Sequence, residues 1–121
     1  LDIYAENILE HYKNPQNKGV IKDADIIQTG ANPLCGDHLA LYINHDKTKI
    51  TDVKFEGKGC AISQASASIL TDELKGMTLK DAAQISKDDV LEMLGVELGP
   101  ARLKCGLLIW DTLREALKKS T

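Results

Sequence analysis

At 121 residues with 43% hydrophobic side chains, the chain can bury one core and is too short for two ordinary domains, so residues 1–121 read as a single domain. A net charge of -3 without any basic block excludes a nucleic-acid surface, because phosphate binding needs a clustered positive field. No apolar run approaches the roughly 18 to 20 residues of a membrane span. The opening Leu1-Asp2-Ile3-Tyr4 also lacks the basic and apolar regions of a signal peptide, and the expectation is a soluble, cytoplasmic protein with no membrane partner.

The first element is an amphipathic helix over residues 2–13, marked by Leu1, Tyr4, Ile8 and Tyr12 at helical spacing and ended by Asn14-Pro15. Tyr4 and Tyr12 are expected to pack against the domain, and His11 to be a solvated surface residue. From Asp25, Ile26-Ile27 leads through Thr29-Gly30 as a short strand. The loop Asn32-Pro33-Leu34-Cys35-Gly36-Asp37 follows. In extended backbone, period-2 geometry puts Cys35 and Asp37 on one side of the chain and His38 on the other.

Residues 39–56 alternate as an antiparallel hairpin with a polar turn at His45 to Lys49, which completes a three-stranded sheet. Gly57-Lys58-Gly59-Cys60 leads into a helix from Ala61 to Lys75, with Ile62, Ala65, Ile69 and Leu74 along one face. Cys60 thus sits at a helix N-terminus, where unpaired backbone N–H groups and the helix dipole favour negative charge. The flanking glycines let the backbone approach whatever the sulfur binds.

Thr78 and Ser86, each with Asp three residues on, are N-capping signals for two short helices, the second stopped by Gly95. Pro100 opens a final helix whose buried face is Leu103, Leu107, Trp110, Leu113 and Leu117. Cys105 falls ~200° around the helix from Leu103 and from Leu107 and is expected to point off the packed stripe.

The three cysteines are an odd number with no C-x-x-C pair, which speaks for free thiols in a reducing compartment rather than a disulfide framework. Each lies near an element boundary, so the three can meet at one edge of a small α+β domain. On residue chemistry alone they are ligands of one site, or small buried side chains.

Four segments together are more specific. Asn32-Pro33-Leu34-Cys35-Gly36-Asp37, Gly57-Lys58-Gly59-Cys60-Ala61-Ile62-Ser63 and Arg102-Leu103-Lys104-Cys105 resemble the three cysteine motifs of the iron-sulfur cluster assembly scaffolds IscU, SufU and the NifU N-terminal domain. His11-Tyr12-Lys13-Asn14-Pro15-Gln16-Asn17-Lys18-Gly19 resembles their N-terminal segment. The resemblance implies an α+β fold with a small three-stranded antiparallel sheet and about five helices. It also implies that Cys35, Cys60 and Cys105 bind a transient [2Fe-2S] cluster, or Zn2+ as the alternative occupant, and accept sulfur, with Asp37 as the labile ligand. Thiolates are soft ligands suited to both cargoes, whereas a carboxylate is harder and exchanges more readily. The implied partners are a cysteine desulfurase and the apo-proteins or carrier proteins that receive the cluster, and the implied role is a scaffold or carrier rather than an enzyme.

Three thiolates and a carboxylate carry four negative charges, so even a zinc dication leaves two, and Lys58, Arg102 and Lys104 are the neighbouring cations placed to offset them. Lys104 stands where IscU members usually have His and matches SufU members, which implies the alternative of a zinc-dependent sulfurtransferase. The interval between Cys60 and Cys105 is too short for the extra segment that SufU members usually carry. Leu98-Gly99-Pro100-Ala101-Arg102 lacks the proline pair by which IscU proteins engage a dedicated chaperone, which speaks against that partner. His38 is expected to be an exposed strand residue, with its imidazole the alternative to Asp37 as fourth ligand.

Overall fold

The computed structural model describes residues 3–33 and 36–119, with side chains for 6–33 and 36–118, so Cys35 and Leu34 lie outside the described residues. In chain order the elements are α1 (Ile3–Lys13), β1 (Ile26–Asn32), β2 (Asp37–His45), β3 (Ile50–Lys58), α2 (Ala61–Leu74), α3 (Leu79–Ala83), α4 (Lys87–Leu94) and α5 (Pro100–Lys119). The strands form one antiparallel sheet in the order β1-β2-β3. This is the α+β arrangement expected from the sequence. No helix among the described residues is long and apolar enough to cross a membrane.

The strand alternation produces the layers. Leu39, Leu41, Ile43, Val53 and Phe55 are buried on one face of the sheet, where α2 and α5 cover them and join the core. Ala31, His38 and Lys58 share a register row, and by the same alternation they face outward. The free edge of β3 is covered from the N-terminal side: Gly19 N–H donates to Phe55 O at 2.8 Å and Phe55 N–H to Asn17 O at 2.9 Å. Edge coverage of this kind blocks pairing with other chains.

Both strands beside the first cysteine loop run further than alternation alone predicts. Asn32 pairs with Asp37, so the hairpin is paired down to a four-residue connection. Gly36 (φ 72°) takes the left-handed conformation there and donates its N–H to Asn32 O at 3.0 Å. Asp37 is therefore the first residue of β2 rather than part of an open loop.

The caps form as read. Thr78 Oγ1 accepts from Asp81 N–H, and Ser86 with Asp89 makes a reciprocal capping box. The Ser86 backbone N–H and then its side chain hold the Asp89 carboxyl below the usual carboxylate value. Its contribution to stability is present above the unfolded-state value and is lost as pH falls through the lowered folded-state value. Ser86→Ala is expected to cost about 1 kcal/mol, read as a lower urea midpoint with an unchanged slope.

Two expectations about α1 are corrected. Tyr12 is 47% exposed and Leu9 50%, while Ile8 is buried at 6%, so α1 docks along a narrow line rather than on an aromatic stripe. The side chain of Tyr4 lies outside those described. His11 is not a solvated residue: it is half-buried, and its Nδ1 lies 2.7 Å from Ser68 Oγ. Gln16 N–H donates to the same hydroxyl, Asn17 Nδ2 to Thr71 Oγ1 and Lys18 Nζ to Gln64 Oε1. Polar groups on α2 thus hold the N-terminal segment, which apolar periodicity does not reveal.

Candidate metal centre at the strand and helix ends

Cys60 is the N-cap residue of α2, in extended backbone (φ -70°, ψ 171°), and its side chain makes no cap hydrogen bond. The residue is exposed, and its sulfur is left unused by the helix. Asp37 supplies the missing acceptor from β2: its Oδ1 accepts the Cys60 N–H at 3.0 Å, and its Oδ2 lies 3.9 Å from Cys60 Sγ. The carboxylate is only 3% exposed. A buried carboxylate needs such a partner, and a helix N-terminus is a favourable place for its charge.

Cys105 arrives from α5. It lies outside the hydrophobic cluster that holds the leucine stripe, as its angular offset predicts, yet it is not turned to solvent: it is 5% exposed. Residues 105–109 are all buried, because α5 is covered by the sheet on one side and by α2 and α4 on others, so its buried arc is wider than the leucine stripe. Two small residues bring α5 against α2 at this point. Ser66 Oγ donates to Gly106 O at 2.6 Å, and a Cβ on Gly106 would lie 2.9 Å from Leu98 Cδ1 and 3.5 Å from Ile62 Cγ2. Cys105 Sγ lies 3.7 Å from Ala101 O, one turn back.

One ligand atom each from Asp37, Cys60 and Cys105 all lie within 4.8 Å of one another. Two sulfurs and one carboxylate oxygen in that space form a donor set suited to a soft or borderline metal such as zinc or iron. Among the described residues, the structure thus brings together three of the four expected ligands. Cys35, the fourth, lies outside the described residues, in the connection that ends at Gly36 and Asp37.

The expected cations are not gathered in one place. Lys58, Arg102 and Lys104 are all exposed, and none is in an ion pair with a described carboxylate. Lys58 lines a groove of about 620 Å³ on the outer face of the sheet with His38, Ala31 and Ala40. Lys104 lines a separate cleft of about 270 Å³ between the end of β1 and α5, with Asn32 and Asp111. His38 is exposed on the face opposite Asp37 and is not part of the ligand cluster.

Sequence reasoning missed the Asp37 to Cys60 amide bond and the roles of Ser66 and Gly106. A glycine inside a predicted helix directly after Cys105 is the available signal, since such a residue marks close approach of another element.

The fold and site define a small α+β domain that presents soft metal ligands where a strand and two helices converge. The chain belongs to the NifU-like N terminal domain family, matched over residues 3–121, and so to the IscU, SufU and NifU type of iron-sulfur cluster scaffolds. It is 37% identical over 134 aligned positions to the zinc-dependent sulfurtransferase SufU of Bacillus subtilis strain 168, covering 97% of this chain and 90% of that protein. It is 39% identical over 115 positions to the iron-sulfur cluster assembly scaffold protein IscU 1 of Archaeoglobus fulgidus, covering 95% of this chain and 74% of that one. Among solved structures it is similar to a protein of Fervidobacterium islandicum AW-1, described as an iron-sulfur cluster assembly scaffold for the SUF system. There the TM-score is 0.74 at 35% identity, covering 93% and 94% of the two chains.

Proposed function

We propose that residues 1–121 act as one scaffold domain on which a [2Fe-2S] cluster is assembled from iron and desulfurase-derived sulfur and passed to apo-proteins or carrier proteins. The observation that carries this reading is the convergence of Asp37, Cys60 and Cys105 ligand atoms within 4.8 Å. Cys35 completes the set in the proposal. The cluster or ion is cargo, and the site's composition suits release: the thiolates hold it, and the carboxylate is the ligand an incoming acceptor thiolate displaces. Bound metal would be held by the sulfurs of Cys35, Cys60 and Cys105 and one oxygen of Asp37.

All three cysteines are candidate sulfur acceptors. Of the two described, Cys60 is exposed and Cys105 is buried, which supports Cys60 as the one a large donor protein reaches. Its thiolate would attack the outer sulfur of a desulfurase persulfide; the new S–S bond forms on Cys60 as the old one breaks, and the donor cysteine leaves as a thiolate.

A second reading, a zinc-dependent sulfurtransferase, is favoured by Lys104 and by the Bacillus relative's own activity. The short interval between Cys60 and Cys105 speaks against it. The match to the Bacillus protein runs over 134 positions, longer than this whole chain, so that relative carries inserted residues that this chain lacks.

Anaerobic reconstitution with ferrous iron, cysteine, a cysteine desulfurase and a thiol reductant such as dithiothreitol, which supplies the electrons that take persulfide sulfur to sulfide, separates the two. A visible chromophore that moves to an apo-ferredoxin supports the scaffold; tightly retained zinc with sulfur uptake on one cysteine and no chromophore supports the sulfurtransferase. Electrostatic support of the site is tested by Lys104→Met, expected to weaken Zn2+ binding about two- to fivefold at low salt and less at high salt. Unchanged affinity at low salt would remove Lys104 from that role.

A further inference from the structure

The two glycines that flank Lys58 serve different purposes. Gly57 has φ +137°, and a Cβ there would lie 2.1 Å from His38 O, so backbone conformation and strand packing both require glycine. Gly59 is outside the positive-φ set, so its φ does not call for glycine. What it lacks is space. A Cβ would meet Ser63 Oγ at 2.2 Å, Asp37 Oδ1 at 3.0 Å and Asp37 Cγ at 3.1 Å. Ser63 is fully buried, and its hydroxyl donates to Cys60 O at 3.1 Å, so it has little room to yield.

We propose that Gly59 is a positioning residue of the metal centre: its missing side chain admits the Asp37 carboxylate to the Cys60 amide, which ties Oδ1 and presents Oδ2 as a single ligand oxygen. This rests on the cargo site proposed above. With Oδ1 held at 3.0 Å by the amide, the carboxylate binds metal through one oxygen. When cargo departs, the same amide keeps the buried charge partnered and the carboxylate in place for the next metal ion. An exchangeable ligand is thereby kept in position without being a strong one.

The test uses Co2+ as the probe, read by its thiolate-to-metal charge-transfer band and by competition with a chelator. Because Ser63 Oγ is the worst obstacle to an added Cβ, the comparison is made in a Ser63→Ala background, which removes that obstacle and leaves the contacts with Asp37 Oδ1 and Cγ in place. Gly59→Ala is expected to weaken Co2+ binding there by about ten- to a hundredfold, the effect of losing a group that orients a metal ligand. In an Asp37→Ala background the same substitution is expected to change nothing further. Equal loss with and without Asp37, or no loss, overturns the proposal.

A mutation-free measurement guards against misfolding: hydrogen exchange at the Cys60 amide of the unsubstituted chain stays slow with and without Zn2+. Rapid exchange in the metal-free protein overturns the proposal as well. Absence of any thiolate charge-transfer band with the unsubstituted chain overturns the cargo site itself, an outcome distinct from a normal band with an indifferent Gly59.

Discussion

Cys105→Ser is expected to weaken Zn2+ and Co2+ binding by at least about a hundredfold while leaving the fold standing, because it replaces an anionic soft donor with a neutral hydroxyl of nearly the same shape. The position is buried at 5% exposure, so a larger or charged residue would confound packing with ligation. Serine can still bond to Ala101 O one turn back, as the Cys105 thiol does. The expected melting curve without metal therefore lies close to that of the unsubstituted chain, and the difference appears when metal is added. Chelator competition measures the affinity, and the charge-transfer intensity should fall by the share of one thiolate. Retention of full affinity would show that Cys105 is packing only.

Asp37→Cys is expected to act in the opposite direction on release. It turns a site of three thiolates and one carboxylate, as proposed, into one of four thiolates, the composition of closed structural zinc sites. Zn2+ release to a chelator, and cluster passage to an apo-acceptor, are expected to slow by about a hundredfold, an order of magnitude set by exchanging a hard ligand for a soft one. Without metal the variant is expected to be less stable by about 1–3 kcal/mol, since the Cys60 N–H loses the carboxylate that now accepts it at 3.0 Å. Metal binds the folded form, so the gap between loaded and chelated melting temperatures should widen. Release as fast as in the unsubstituted chain would remove Asp37 from the role of exchangeable ligand.

How much of this was legible beforehand differs by element. Alternation along β2 and β3 and the capping residues Thr78, Ser86 and Gly95 are local signals, and the structure follows them. The apolar stripe of α5 packs as its spacing predicts, but the stripe carries no signal that Cys105, off it, is buried too, because burial on a helix depends on how many neighbours cover it. The docking of α1 likewise escapes apolar periodicity, since Ser68, Thr71 and Gln64 hold the segment that follows α1, and His11 itself, through polar bonds with no periodic signature.

By itself the sequence determined the order of elements, the positions of the thiols near their ends, and through four motifs the family. These are properties of short segments, governed by side-chain period, caps and glycine. Only the tertiary structure decided that Asp37 crosses from β2 to the N-terminus of α2, and that Gly106 and Ser66 draw α5 close enough for Cys105 to stand beside Cys60. Those contacts join residues far apart in the chain, and their geometry is set by the packing of the sheet and helices, which no local pattern encodes.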